Sequence, residues 1–81
     1  MNLMEVEILS PDKIITKQKI KSIKLPGKLS SFTVLYNHAP IISILEKGTI
    51  VLTLNDNTKK VIEVNGGIVE VKKNKISVLL T

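Results

Sequence analysis

Cysteine, arginine and tryptophan are absent from this 81-residue chain, and histidine, tyrosine and phenylalanine occur once each, as His38, Tyr36 and Phe32. Without cysteine there is neither a disulfide nor a thiolate metal site. One imidazole does not make a zinc centre without unusual carboxylate help. Ser-His-Asp chemistry would have to be built on His38, and no readable motif supplies it with a nucleophile. Neither a GxGxxG nor a GxxxxGK phosphate loop is present. No catalytic residue, metal or cofactor is therefore expected. No apolar run approaches the roughly 20 residues that span a bilayer. The first seven residues carry Glu5 and Glu7 and no basic residue, unlike a secretory signal or an Arg-rich transit peptide. Alanine occurs only at Ala39, and no window supports a helix of ten residues.

What the chain does have is lysine, isoleucine and valine in alternation. Twelve basic residues, all lysine, stand against seven acids, for a formal charge of +5. In Leu3–Leu9 the residues Met4, Val6 and Ile8 share one face, and Glu5 and Glu7 the other. That period of two is an amphipathic strand. Ser10-Pro11-Asp12 is a turn. Lys13–Leu25 reads as a second strand whose phase shifts: Ile14 and Ile20 are even, Ile23 and Leu25 odd. One extra residue near Lys21-Ser22 would restore a common face, so a β-bulge is expected there. Lys17, Lys19 and Lys21 alternate along that strand, a pattern that commonly blunts a sheet edge against aggregation.

Pro26-Gly27 ends the second strand, and Lys28–Ser31 is a loop. Phe32–Tyr36 is a short strand, broken by Asn37-His38-Ala39-Pro40. Ile41–Leu45 is almost continuously apolar. Either Ile42 and Ile44 enter the core while Ile41 looks out, or the strand is buried on both faces. Thr49–Leu54 alternates, with Ile50, Leu52 and Leu54 inward. Asn55-Asp56-Asn57 turns into Lys59–Val64, where Ile62 and Val64 share a side. Asn65-Gly66-Gly67 permits a tight corner. Ile68–Lys72 and Lys75–Leu80 form a last hairpin around Lys73-Asn74. The expected fold is one all-β domain over residues 1–81, a two-sheet sandwich of roughly eight to ten short strands without helix.

Three segments carry a resemblance. They are Leu25-Pro26-Gly27; then Val34-Leu35-Tyr36-Asn37-His38-Ala39-Pro40 with Leu45-Glu46-Lys47-Gly48; then Gly66-Gly67-Ile68-Val69-Glu70-Val71 followed by Asn74-Lys75-Ile76-Ser77-Val78-Leu79. In this order and spacing they resemble the N-terminal domain of the epsilon subunit of F-type ATP synthase, over nearly the whole chain. Departures lie in the loop after Gly27. Ser30 and Thr33 stand where the family commonly has glycine, Ser31 where it has an acid, and Tyr36 where it often has proline. The family usually continues into an antiparallel helix pair, and this chain stops where that pair would begin.

The resemblance implies a non-catalytic rotor subunit without a cofactor. It would bind the gamma subunit and the c-subunit ring, couple proton translocation to ATP synthesis and hydrolysis, and lack inhibition by the helix pair. It would lie peripherally at the cytoplasmic face of the bacterial inner membrane. By the resemblance, Ser10 and His38 with Ala39, Pro40 and Ile41 face gamma. The loop Gly27, Lys28, Leu29, Ser30 and Ser31 faces the ring. Taken alone, His38 can equally be a turn residue whose ring nitrogens bond nearby backbone, and Lys28 a solvated loop lysine. The mean hydropathy of +0.23 is high for so small a domain, so part of the apolar surplus is expected at an interface, with Ile41, Ile42 and Ile44 as candidates. The other reading is a small basic β-barrel that binds nucleic acid, which the pI of about 9.6 favours. The scarcity of aromatics for base stacking and the absence of arginine oppose it.

Overall fold

A computed structural model describes residues 2–81. Among them nine strands form: β1 (Met4–Leu9), β2 (Ile14–Ile20), β3 (Ser22–Leu25), β4 (Phe32–Leu35), β5 (Ile41–Leu45), β6 (Gly48–Thr53), β7 (Lys59–Val64), β8 (Gly67–Lys72) and β9 (Lys75–Leu80). They build two sheets, ordered β2-β1-β9-β8-β5 and β4-β3-β6-β7. No helix occurs among the described residues. The expected sandwich is therefore present.

Alternation in each strand decides which side chains meet between the sheets. From the five-stranded sheet come Met4, Val6, Ile8, Ile20, Leu45, Val69, Val71, Ile76 and Val78. From the other come Ile23, Leu25, Val34, Ile50, Leu52 and Val64. These residues are buried, and no polar or charged residue among those described is buried with them. A core of branched aliphatics loses little rotamer freedom on packing, which suits a small domain without staples. Leu54 and Ile62 pack against this core, as their parity indicates.

Most strand pairs are antiparallel neighbours, but β1 pairs with β9 in parallel, Glu5 opposite Lys75 through Leu9 opposite Leu79. That pairing puts the first strand inside its sheet and removes two edges. β2, bearing Lys17 and Lys19, is an edge strand, as the lysine alternation suggests.

The predicted bulge at Lys21-Ser22 is replaced by a change of sheet. β2 ends at Ile20 in the first sheet, and β3 starts at Ser22 in the second. Lys21 is the corner: its amide donates to Thr53 O at 2.7 Å, and its ammonium reaches Asn57 Oδ1 at 2.7 Å. A bulge and a corner shift the side-chain phase alike, so parity alone does not separate them. Ile14 shares the parity of buried Ile20 yet is 59% exposed, because the strand changes phase between Ile14 and Thr16. The ladder irregularity lies instead between Ile8 and Leu9, whose partners Thr16 and Ile14 skip Ile15.

The turns follow their residues. Lys73 and Asn74 both have positive φ, 51° and 61°, giving the two-residue hairpin between Lys72 and Lys75. Asn57 also has positive φ, at 69°. Hydrogen bonds from Thr58 hold the Asp56 carboxyl below its ordinary range, so the bond closing this exposed turn is lost only in acid. Gly67 sits where a Cβ would collide with the carbonyl oxygen of Leu79 across the β8–β9 ladder.

Leu52→Ala should lower unfolding free energy by about 2–5 kcal/mol, because the side chain is fully buried. Gly67→Ala should cost about 1–3 kcal/mol through backbone displacement. Urea titrations followed by circular dichroism measure both.

Candidate docking face

The two outer faces of the sandwich differ. On the five-stranded sheet, Ile14 opposes Leu9, Leu9 opposes Leu79, Leu79 opposes Ile68, and Ile68 opposes Ile44. These five side chains all point away from the core and cross every strand in one apolar row. Four of them are exposed, and Leu9 is half-buried. Ile42, 69% exposed, extends the row along β5. The next row reads Lys17, Glu7, Ser77, Glu70 and Ile42, and the third Lys19, Glu5, Lys75 and Lys72. The face thus grades from apolar at one end to charged at the other. On the four-stranded sheet, by contrast, Leu35 lies opposite Ser22, and Val61 lies at the end of a row through Val51, Lys24 and Thr33. Serine, threonine and lysine interrupt its apolar surface. A contiguous exposed apolar patch marks an interaction site, and only the first face carries one of this extent.

The predicted orientation of β5 is corrected here. Ile41 and Leu45 turn inward, opposite Val71 and Gly67, while Ile42 and Ile44 turn outward. Leu45 sets this phase: it is buried at 3% exposure, and every second residue must share its side. Nor is the strand buried on both faces. Of the three isoleucines expected at an interface, Ile42 and Ile44 are on the surface, and Ile41 is half-buried against the core.

The other singled-out residues fall in two places. Ser10 follows β1 at the apolar end of the face. Its hydroxyl bonds Asp12 Oδ1 at 3.1 Å and Lys13 O at 3.2 Å, closing the β1–β2 turn. His38 lies at the other end, before β5. Its amide donates to Leu35 O, and its ring Nδ1 donates to Ala39 O at 2.7 Å, leaving Nε2 as the uncommitted nitrogen. Neighbouring Asn37 is clamped to the β8–β9 hairpin: its amide donates to Asn74 Oδ1, and Asn74 Nδ2 returns a bond to Asn37 Oδ1. Ala39 and Pro40 are exposed. Ser10 and His38 therefore bracket the face from opposite ends and do not converge on a point.

The loop Gly27–Ser31 lies at the apolar end, beside β5. Gly27 bridges Leu45, and Lys28 N donates to Ile44 O. Glu46 N donates to Pro26 O, so this segment covers the free edge of β5. Gly27 is buried, and a Cβ there would stand 2.5 Å from Ser30 O and 2.9 Å from the Phe32 ring. Beyond it Lys28, Ser30 and Ser31 are exposed, and Leu29 is fully so. Sequence patterning alone does not single out Leu9, Ile14, Ile68 or Leu79. Alternation marks Leu9, Ile68 and Leu79 as outward but puts Ile14 in phase with buried Ile20; the register shift near Ile15 turns Ile14 outward, and the parallel β1–β9 register joins the row.

Among the described residues, no group of three acid or histidine side chains is placed to hold a metal ion, and no helix is long and apolar enough to cross a membrane.

Comparison with known proteins agrees with this fold. The family model of the ATP synthase Delta/Epsilon chain beta-sandwich domain matches residues 3–81. An ATP synthase epsilon chain of Leptospira interrogans is 38% identical, over 96% of this chain and 61% of its own length. That of Endomicrobium trichonymphae is 40% identical, over 98% of this chain and 56% of its own. The chain thus spans less than two thirds of these relatives. A chain of the Euglena gracilis mitochondrial ATP synthase, solved as OSCP/F1/c-ring, superposes with a TM-score of 0.93 at 15% identity, over 99% of this chain and 51% of its own. One from the central stalk and c-ring of the Tetrahymena thermophila mitochondrial enzyme gives 0.82 at 18% identity, over 96% and 63%. With its sandwich, its sequence motifs and the family match in agreement, this chain belongs to the ATP synthase delta/epsilon family as its β-sandwich domain.

Proposed function

We propose that the chain serves as a non-catalytic epsilon-type rotor component in the central stalk of an F-type ATP synthase. The outer face of the five-stranded sheet, bracketed by Ser10 and by His38-Ala39-Pro40, binds the gamma subunit. The Gly27–Ser31 loop meets the c-ring, with Leu29 as its projecting apolar side chain and Lys28 as its one charge. Bound to both, the domain passes rotation between proton translocation and ATP synthesis or hydrolysis. It does so from a peripheral position at the cytoplasmic face of the bacterial membrane.

The observation that carries this reading is the apolar row from Ile14 to Ile44. Torque-bearing contacts need a permanent interface with an apolar centre, in the size class above roughly 2,000 Å². Ile41, expected at that interface, instead lies half-buried against the core, in the phase that Leu45 sets. A rotor element must also be stiff. Here β1–β9 pairing closes the five-stranded sheet, and the Asn37–Asn74 pair ties the loop before β5 to the opposite hairpin.

The nucleic-acid reading loses ground on the molecule's own surface. Phe32 packs against the core, and Tyr36 stands alone at 39% exposure, so no stacking platform exists.

Two outcomes are expected, and a third would overturn the assignment. The chain co-purifies with gamma at micromolar concentration, whereas a double Ile44→Asp, Ile68→Asp variant folds but is not retained, because two desolvated carboxylates in the patch centre oppose docking. Circular dichroism of the free variant checks folding, and equal retention of both forms would count against the proposal. Addition of the 81-residue chain to a gamma-containing catalytic head leaves ATP hydrolysis uninhibited, since none of its described residues forms a helix that could obstruct the head; strong inhibition in a steady-state assay contradicts this. Binding of a labelled oligonucleotide that is tight at about 50 mM salt and collapses by about 200 mM would overturn the rotor assignment.

A further inference from the structure

The lysines are not spread evenly over the sandwich. The registers divide the molecule into two ends. One holds the β1–β2 turn, the Gly27–Ser31 loop, the β5–β6 turn and the β7–β8 corner. The other holds the β6–β7 and β8–β9 hairpins, the Lys21 corner and His38. At the loop end Lys13, Lys28 and Lys47 are matched by Asp12, Glu46 and Glu63. In the middle Lys17 and Lys24 are matched by Glu7 and Glu70. Everything else lies at the hairpin end. Lys19, Lys72, Lys73 and Lys75 are there on the five-stranded sheet, and Lys21, Lys59 and Lys60 on the other, against Glu5 and Asp56 alone. The whole formal charge of +5 therefore sits at one end of the domain.

Two of these ammonium groups are held by neutral partners. Lys21 Nζ bonds Asn57 Oδ1, and Lys59 Nζ bonds Thr53 Oγ1 at 3.2 Å. These bonds orient the ammonium groups without cancelling them. The hairpin carrying Lys72, Lys73 and Lys75 is in turn fixed by the Asn37–Asn74 clamp.

Lys19, Lys72 and Lys75 share the outward face with the apolar row, at its far end. An apolar patch alone gives area but little direction, because hydrophobic contact is non-directional. A face that is apolar at one end and basic at the other has a polarity.

We propose that the polypeptide covering this face, gamma on the reading above, presents an acidic surface to the Lys19–Lys72–Lys75 end. The basic end orients the incoming partner and accelerates docking, while the apolar row holds it. Opposed charge patches act chiefly on association rate and register, and their effect falls with salt. The inference rests on the rotor reading and adds the electrostatic character of its partner.

The experiment is association of the chain with immobilised gamma-containing head, followed by surface plasmon resonance from about 50 mM to about 300 mM salt. The triple variant K19Q/K72Q/K75Q removes three charges from the basic end, and K13Q/K24Q/K47Q removes the same number elsewhere. All six lysines are exposed, so both variants keep the core. At low salt the first triple should associate about tenfold more slowly than the parent with little change in dissociation, and the second should slow far less. Parent association should also slow as salt rises. Equal slowing by both triples, or association of the parent that ignores salt, overturns the inference while leaving the rotor reading intact. Failure of the parent to bind at any salt overturns both.

Discussion

Parallel pairing of β1 with β9 is the constraint on which the rest of the molecule depends. It joins strands from the two ends of the chain, Glu5 with Lys75. Closing so long a loop costs entropy that local hairpins do not pay, and the burial of Val6, Ile8, Ile76 and Val78 along the joined strands offsets it. Without this pairing β2-β1 and β9-β8-β5 would be two separate sheets with raw edges. With it, Leu9 comes beside Leu79, and the apolar row crosses five strands instead of stopping at three. The same contact therefore closes the core on one face and assembles the exposed apolar row, the candidate docking surface, on the other.

Strand positions are legible from alternation and turn chemistry alone. Met4-Val6-Ile8 and Ile50-Leu52 signal their inward faces plainly, and the Asn, Gly and Pro clusters mark the turns. What escapes the linear order has physical causes. Ile41–Leu45 is apolar at both parities, so its own residues do not say which side is in. Leu45 decides, through burial that depends on β8 and on the Gly27 bridge. The Lys21 corner mimics a bulge because both devices shift phase by one residue, and only the neighbours of β3 tell them apart. The docking row is invisible as a unit because registers between distant strands are not written in either strand.

Candidate contacts show the same division. The residues of the Asn37–Pro40 turn and of the Gly27–Ser31 loop stand out by motif, and the fold places them at opposite ends of one face. His38 takes the turn role that its residue type allows: Nδ1 donates to the Ala39 carbonyl. The charge gradient, from a balanced loop end to a +5 hairpin end, follows from nothing in the linear order, where lysines are scattered through the chain. It emerges when the hairpins carrying Lys59 and Lys72 are brought to the same side.

The central claim is that gamma covers the outer face of the five-stranded sheet. Methyl-labelled chain observed by NMR during titration with gamma tests it most directly. The account predicts that the methyls of Ile42, Ile44, Ile68 and Leu79 shift or broaden, while those of Leu35 and Val61 on the opposite sheet keep their positions. Perturbation confined to Leu35 and Val61, with the isoleucine row unchanged, would contradict it.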